Sequence, residues 1–307
     1  MSSRRLFIDG KGSKNMGIWK AVSLFLVILP AYESKEIARF PISNNKEDKY
    51  IMMKRQRPYL LISNDDGFLA KGINFLIDTL KDEADIIVVA PDSARSGYAL
   101  AITSMLPVQA EMLKDEEHLK VYACTGTPGD CIKLALNRLV ERKPDLVISG
   151  INHGDNSSVN SHYSGTMGAA CEGALQGIPA LAFSLCDHRD DANFQPLKTY
   201  ILDFYRKALV WRFPPFTCLN INFPKVDKFA GVRICRMARS RWINEIEDCE
   251  RNGYSAKYYW LSGSRQSLEP EAEDTDIWAL SHDYVAVTPT TMDNTAYDFV
   301  ELLRQDY

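Results

Sequence analysis

From residue 58 onward, short apolar runs alternate with segments whose apolar residues recur at helical spacing. Short apolar runs between turn residues are typical of buried strands, and the i, i+3, i+4, i+7 spacing that begins at Ile73 is typical of one face of a helix. Strands are predicted over Pro58 to Ser63, Ile86 to Ala90, Asp145 to Ile151, Ala180 to Leu185, Cys218 to Phe223 and Tyr284 to Thr288. This alternation predicts a mostly parallel sheet covered on both faces, in a three-layer α/β/α, Rossmann-like fold.

Helix signals fall between these runs. Thr127 suits an N-cap, Pro128 the first helical position, and Asp130 the third, where a carboxylate complements the helix dipole. A second helical pattern surrounds Ile201, and a short terminal helix is predicted over Thr295 to Leu303.

Residues 232–265 have a different pattern. The segments Arg233 to Ile246 and Tyr254 to Leu261 are rich in β-forming residues, and Asn252-Gly253 between them is typical of a hairpin turn. We predict a long hairpin that protrudes from the C-terminal part of the domain, and the apolar Tyr258-Tyr259-Trp260 run favours a role in subunit contact.

The first fifty residues do not continue the α/β pattern. The apolar run from Ala21 to Leu29 is too short to span a bilayer. It could be the core of a secretory signal, although Pro30-Ala31-Tyr32-Glu33 is a poor cleavage site. We interpret residues 1–52 as an extension that is poorly structured or precedes the natural start at Met52 or Met53, and residues 53–307 as one domain.

The charge and cysteine content of the chain exclude some classes of protein function. The formal net charge of -4 and the lack of a basic stripe argue against a binder of duplex nucleic acid. The seven cysteines form no C-x-x-C motif, and their number is odd. We interpret them as reduced, mostly buried thiols of a cytoplasmic protein.

Three polar clusters follow predicted strands, where ligands of parallel sheets gather. They are Asn64-Asp65-Asp66, Asp92 to Gly97, and Asn152 to Asn156. The adjacent carboxylates of Asp65 and Asp66 would repel each other unless a cation lay between them, and Mg²⁺ or Mn²⁺ accepts such ligands. The alternative is that one of the two caps the following helix and the other is solvated.

The other clusters offer neutral oxygens. Ser96 stands beside a glycine in the second cluster, and Asn152 between two glycines in the third, but each stretch could also be a plain polar turn. His153 is either an acid–base group or a surface residue. Ser164-Gly165-Thr166, which precedes an alanine-rich helix, could bind an anion at the helix N-terminus or simply cap the helix.

Together these stretches resemble the SurE nucleotidases. The quoted motifs occur in the family's order: NDDG, APDSARSG, TGTPGDC, SGINHGDN and YSGTMGAACEGALQGIPALAFS, followed by LNINFP, YYW, Thr275-Asp276 and Val285 to Pro289. The likeness covers about residues 58 to 300, and the residues around the hairpin align least well. It implies a SurE-like fold and a metal-dependent phosphatase acting on nucleoside 5′-monophosphates, with 3′-monophosphates and short polyphosphate as further substrates.

The resemblance also implies which residues act. It casts Asp65, Asp66, Ser96 and Asn152 as ligands of one divalent metal ion, Mg²⁺ or Mn²⁺, in each subunit. The two aspartates are the catalytic pair, and phosphate or substrate contacts are expected from Asn156, Ser164, Gly165 and Thr166. The hairpin becomes a swapped arm of a homodimer or homotetramer, with no membrane partner.

Two mechanisms and one rival function stay open. A water molecule could attack the phosphate in line, or Asp65 could act as the nucleophile; no general acid is named. The rival is a non-catalytic metal- or nucleotide-binding sensor of the receiver type. Such a module needs an aspartate at the end of its third strand, where this chain has Ser149-Gly150-Ile151-Asn152.

Overall fold

A nine-stranded sheet forms the centre of the molecule. The computed structural model describes residues 57–249 and 257–307. Most neighbouring strands in the sheet are parallel, in the order β3-β4-β2-β1-β5-β6-β7-β13-β8, and only the pairs β3–β4 and β7–β13 are antiparallel. Its strands are β1 Tyr59–Ser63, β2 Asp85–Pro91, β3 Ala110–Glu116, β4 Leu119–Cys124, β5 Leu146–His153, β6 Ala180–Leu185, β7 Thr217–Phe223, β8 Gly231–Ile234 and β13 Tyr284–Thr291.

Helices cover both faces of this sheet, as predicted. The apolar cluster on one face contains side chains of α1 and α4, and the cluster on the other face contains side chains of α2 and α3. The α-helices are α1 Lys71–Leu80, α2 Pro128–Leu134, α3 Gly165–Leu175, α4 Lys198–Ala208, α5 Asp276–Ser281 and α6 Tyr297–Leu303. Short helical turns lie at Ala135–Leu139, Ser158–His162 and Gln195–Leu197. The three-layer α/β/α prediction is therefore confirmed.

Local chemistry explains where α2 begins. The Thr127 hydroxyl accepts the Asp130 N–H at 3.1 Å, and the Asp130 carboxylate accepts the Thr127 N–H at 2.9 Å. Pro128 occupies the first turn, where its missing N–H costs no helical hydrogen bond. This reciprocal cap, worth about 1 kcal/mol, confirms the predicted helix start.

Strands β3 and β4 were not predicted. All residues of β3 except Ala110 are exposed, and its sequence AEMLKDE has three acidic residues and a lysine. A charged strand at the edge of a sheet lacks the apolar run that identifies a buried strand. Its formation depends instead on antiparallel pairing with β4, from Ala110 opposite Cys124 to Glu116 opposite Leu119.

The predicted hairpin is present, but its bounds differ. The arm, as we call residues 240–267, has four strands: β9 Ser240–Ile243, β10 Ile246–Cys249, β11 Tyr258–Leu261 and β12 Ser264–Ser267. Antiparallel pairs join β10 to β11 and β9 to β12, while the predicted turn at Asn252-Gly253 lies outside the described residues.

The segment from Arg233 to Ile246, expected to form one side of the hairpin, is divided between the main sheet and the arm. Its first part, β8, joins the main sheet beside β13, and Cys235 is buried in a small apolar cluster with Ala279. The arm therefore begins at Ser240 rather than at residue 232, because the preceding residues are held by the core.

Two further predictions can be placed. All seven cysteines are free thiols, and five of them are buried. No helix in residues 57–249 and 257–307 is long and apolar enough to cross a bilayer. The interpretation of residues 1–52, including the apolar run from Ala21 to Leu29, lies outside the described residues.

Candidate metal and phosphate site

A cavity of about 310 Å³ opens at the carboxyl edge of the sheet, next to the end of β1. Residues from all three predicted polar clusters line it, among them Asp65, Ser96 and Asn152. Its volume is at the lower end of the roughly 300–1,000 Å³ range of small-molecule sites. The three clusters thus supply lining residues as far apart in the chain as Asp65 and Asn156, a separation of 91 positions.

Asp65 is at the inner end of this cavity and is only 3% exposed. Its Oδ1 accepts a hydrogen bond from the Thr166 hydroxyl. Burial, and then the charge of Asp66, raise the pKa of Asp65 to about 6. The surroundings of Asp65 therefore disfavour the charged form of its carboxyl group.

Asp66 is half-buried beside it, and its Oδ2 accepts the His153 N–H at 3.2 Å. Burial raises the pKa of Asp66, while the His153 N–H and the nearby His188 act in the opposite direction. Gly67 follows at φ +96°, a conformation that L side chains rarely adopt. The glycine lets the chain turn immediately after the two aspartates.

Ser96 reaches the cavity through a loop fastened to β1. The Arg95 N–H donates to the Asp65 backbone carbonyl at 2.6 Å, which fixes the position of the next residue, Ser96. The Arg95 guanidinium instead donates to Ser93 and Asp92, at 2.7 and 2.9 Å. The loop therefore presents an exposed hydroxyl at the cavity, while its cation is paired within the loop.

Asn152 belongs to β5, the strand next to β1. The register places Ser63 opposite Ser149, so the ends of these two strands lie side by side. The Asn152 Nδ2 donates to the Gly154 carbonyl at 2.8 Å. Because the amide nitrogen is used in this way, the side chain can offer its carbonyl oxygen to a ligand.

The four predicted phosphate contacts divide into two pairs. Ser164 and Asn156 line the cavity, whereas Gly165 and Thr166 are not in its lining. A Cβ on Gly165 would lie 2.7 Å from the Asp65 Cβ, so the start of α3 packs directly against the aspartate. The Thr166 hydroxyl is already donated to Asp65, so it acts behind the carboxylate rather than at the cavity surface.

Asn156 and Ser164 also have structural partners. The Asn156 N–H donates to Asn222 Oδ1 at 2.7 Å, and its Nδ2 donates to the Ser184 hydroxyl at 2.8 Å. The Ser164 hydroxyl accepts the Met167 N–H at 3.0 Å and so caps α3. Ser164 can cap α3 and also contribute to an anion site, because a capped helix still directs the positive end of its dipole at the cavity.

Comparison with known proteins identifies the family. The family model "Survival protein SurE" matches residues 60–244. This chain belongs to the SurE family. The protein named "5′-nucleotidase SurE" of Bacteroides thetaiotaomicron is 51% identical over 251 residues, which are 82% of this chain and 96% of that protein. The protein of the same name from Phocaeicola vulgatus is 52% identical over 252 residues, covering 82% of this chain and 98% of that protein.

A solved structure agrees with the sequence relationship. The crystal structure of the SurE protein from Aquifex aeolicus matches with a TM-score of 0.68 and 33% sequence identity. The match covers 81% of this chain and 99% of the Aquifex chain. The predicted family and its α/β fold are therefore confirmed.

The charge balance of this SurE cavity is unusual for a site that would bind an anion. Among the described residues, no lysine or arginine lines it. Asp155, also in the lining, is neutralised by Arg265, whose Nη1 lies 2.6 Å from its Oδ2. The uncompensated negative charge is therefore concentrated on the Asp65 and Asp66 pair.

The donor set of the SurE cavity fits a hard divalent cation. In residues 57–249 and 257–307, no group of three or more His, Cys, Asp or Glu side chains is arranged to hold a metal. The cavity lining offers instead a carboxylate, a hydroxyl and an amide oxygen, from Asp65, Ser96 and Asn152. Asp66 is not in the lining, but it follows Asp65 directly and its Oδ2 accepts the N–H of the lining residue His153. Mg²⁺ and Mn²⁺ take such oxygen ligands and often use only one or two carboxylates.

Four lining residues of the SurE cavity were missed by the sequence reasoning: Asn160, Tyr163, His188 and Trp242. His188 follows the end of β6 and could have been found by the strand-end rule applied to the other clusters. Tyr163 was quoted only as the start of a motif. Trp242 comes from the arm, which the sequence pattern connected only with subunit contact, so no local signal pointed to the cavity.

Proposed function

We propose that this chain is a metal-dependent 5′-nucleotidase that hydrolyses nucleoside monophosphates to nucleoside and phosphate. One observation carries the proposal: the cavity is lined by the buried carboxylate of Asp65, whose neighbour Asp66 adds a second negative charge, and among the described residues no lysine or arginine lines it. A dianionic phosphate would be repelled there without a bound cation. The names of the relatives, "5′-nucleotidase SurE", support the same reaction.

The metal site consists of Asp65, Asp66, Ser96 and Asn152. A divalent ion bound there would polarise a phosphoryl oxygen and offset the charge that develops as the ester bond breaks. The raised pKa of Asp65, about 6, is consistent with a carboxylate whose charge is stabilised by a ligand rather than by the fold. Mg²⁺ and Mn²⁺ both suit these donors, and one ion per subunit is proposed.

The proposed substrate contacts come from the residues around the start of α3. The Ser164 hydroxyl and the N-terminal end of α3 face the cavity and suit a phosphate oxygen. The Thr166 hydroxyl also holds the Asp65 carboxylate in place, which leaves the backbone of Thr166 for the predicted phosphate contact. Asn156 positions the loop after β5 through its buried bonds and exposes part of itself to the cavity.

A water molecule is the proposed nucleophile. Asp65 already accepts the Thr166 hydroxyl and is packed against Gly165, so its carboxylate has little freedom to move into an in-line attack. Attack by Asp65 itself remains the alternative, and it would leave a phosphorylated aspartate that mass spectrometry of rapidly quenched enzyme can detect.

The assay that tests the function is phosphate release from AMP. Protein stripped with EDTA should be inactive and should regain activity with Mn²⁺ or Mg²⁺. Asp65→Asn should lower kcat by about 10³-fold, because several kcal/mol of charge stabilisation are lost. Ser96→Ala should have a smaller effect, since it removes a neutral ligand.

The same assay separates the enzyme from its rival. A receiver-type sensor would bind AMP or metal in calorimetry without releasing phosphate. Full activity of the EDTA-treated protein, or of Asp65→Asn, would contradict the proposed metal site. Asp306→Asn is a matched control, because it removes an exposed carboxylate near the C-terminus.

We further propose a cytoplasmic protein that assembles as a homodimer or homotetramer through its arm. The free thiols of all seven cysteines are typical of a reducing compartment. On the arm, Trp260 is 65% exposed and Leu261 is 86% exposed. Apolar side chains this exposed on a hairpin favour burial in a subunit contact.

A further inference from the structure

Trp242 brings an aromatic ring from the arm to the cavity. It lies on β9, is half-buried, and lines the same cavity as Asp65 and Asn152. Its Nε1 donates to the Asn160 Oδ1 at 3.1 Å, and Asn160 is itself part of the cavity wall. The hydrogen bond restricts rotation of the indole and is made by the edge of the ring.

The strand that carries Trp242 is tied to the cavity wall a second time. Arg265 on β12 lies directly opposite Trp242 in the antiparallel register. The Arg265 Nη1 donates to Asp155 Oδ2 at 2.6 Å, to the Ser157 hydroxyl at 2.9 Å and to the Ser157 carbonyl at 3.0 Å. Both Arg265 and Asp155 are about one-fifth exposed, so this ion pair is shielded from solvent and holds β9 at a fixed place.

The cavity consequently has two chemically different parts. Oxygen donors of Asp65, Ser96 and Asn152 supply one part, and the aromatic side chains of Tyr163 and Trp242 belong to the other. Tyr163 is 55% exposed, so its ring is not used by the core. A site for a bare phosphate ester would need only the oxygen donors; a second, aromatic part suits a ligand with a flat ring.

We propose that Trp242 stacks on the nucleobase of the substrate and makes the site prefer nucleoside phosphates to phosphate esters that carry no base. This inference rests on the proposed function and assigns part of its substrate specificity to one residue of the arm. Stacking accepts every base because each has a π face. The preference is therefore for the presence of a base, with purines favoured by their larger ring.

The test compares two substrates in three enzymes. With Mn²⁺ present, kcat and KM are measured for AMP and for ribose 5-phosphate, which keeps the sugar and phosphate but has no base. In Trp242→Ala, KM for AMP should rise roughly 10- to 100-fold with kcat little changed, since a stacking contact binds ground state and transition state alike. The kinetics with ribose 5-phosphate should stay within twofold of the wild type.

Trp242→Phe distinguishes stacking on the base from the effect of the hydrogen bond between Trp242 and Asn160. Phenylalanine keeps an aromatic face but cannot donate to Asn160, so it should retain most of the affinity for AMP. If Phe is as poor as Ala, the Asn160 bond carries the effect and the stacking proposal is overturned. An equal loss for both substrates in Trp242→Ala, or no loss for either, would also overturn it.

Trp211→Ala is the matched control, because it truncates another partly exposed tryptophan, 41% exposed, that is not in the cavity lining.

Failure of the proposed function is recognised by a separate measurement. If the wild type hydrolyses neither substrate, AMP binding in the presence of Mn²⁺ is measured by calorimetry. Weaker binding in Trp242→Ala would still support stacking, and unchanged or undetectable binding would refute it.

Discussion

Two buried carboxylates of this SurE chain have opposite surroundings. Asp276, at the start of α5, is 0% exposed and accepts three backbone N–H groups: from Ser158 at 2.7 Å, Ala238 at 3.0 Å and Ile277 at 2.8 Å. Asp65, at the end of β1, is 3% exposed and has another carboxylate, Asp66, as its neighbour. Burial is the largest cause of a raised pKa in both.

Both oxygens of Asp276 are used by backbone N–H groups of the fold, whereas the Asp65 carboxylate lines the cavity. The partners of Asp276 come from three separate segments, so its carboxylate joins the segment that precedes the arm to the turn that begins at Ser158 and to α5. The like charge next to Asp65 adds to the cost of its burial. We therefore expect loss of an Asp276 acceptor oxygen to weaken the fold, and loss of the Asp65 charge to strengthen the metal-free fold.

The largest loss of stability is expected for Asp276→Asn. The amide keeps one acceptor oxygen, so its NH₂ group must face a buried backbone N–H of Ser158 or of Ala238 and Ile277. The free energy of unfolding should fall by about 2–3 kcal/mol. Denaturant unfolding monitored by circular dichroism measures this change.

The same variant should also affect the cavity, because Ser158 begins the turn that contains Asn160. KM for AMP should rise while the metal requirement stays the same. Asp274→Asn is the matched control, since that carboxylate is 66% exposed and pairs with Arg236 at the surface. A stability of Asp276→Asn equal to that of the control would contradict the structural role of Asp276.

An effect of opposite sign is expected for Asp65→Asn. In EDTA at pH 7 this variant should be more stable than the wild type by about 3 kcal/mol, because the pKa of Asp65 is raised from 3.8 to about 6. The asparagine oxygen can still accept the Thr166 hydroxyl. Destabilisation of the metal-free protein by Asp65→Asn would show that the fold needs this charge.

The pH dependence of that difference gives a sharper test. Because the folded protein holds the Asp65 proton up to about pH 6 and the unfolded chain releases it near 3.8, wild-type stability falls as the pH rises between these values. The advantage of Asp65→Asn should therefore shrink toward zero as the pH is lowered from 7 to 4. An advantage that stays constant over this range would exclude Asp65 as its source.

The parts of the fold that could be predicted are those in which burial requires a run of apolar residues. Strands β1, β2, β5, β6 and β7 consist largely of buried residues, and each was found as an apolar run. The edge strand β3 and the arm have exposed, mixed sequences, and their pairing depends on distant partners. For the arm, the correct start at Ser240 follows from contacts of Cys235 and Ala238 that only the folded chain makes.

The site was predictable in part. Asp65 and Ser96 follow strands and Asn152 lies near the end of β5, so the topology of a parallel sheet brings them to one edge. Thr166 was expected to face a phosphate, but its hydroxyl is used by Asp65, a partner 101 residues away. Trp242 could not be found, since its place at the cavity results from the Arg265–Asp155 ion pair and the bond to Asn160.

The central claim, that the adjacent aspartates hold a divalent cation, is tested most directly by calorimetric titration of the EDTA-stripped protein with Mn²⁺. We predict binding of about one ion per chain to the wild type and at least roughly tenfold weaker binding to both Asp65→Asn and Asp66→Asn. Asp306→Asn should bind as the wild type does. The claim would be contradicted if the wild type bound no Mn²⁺, or if the two cavity variants bound it as tightly as the control.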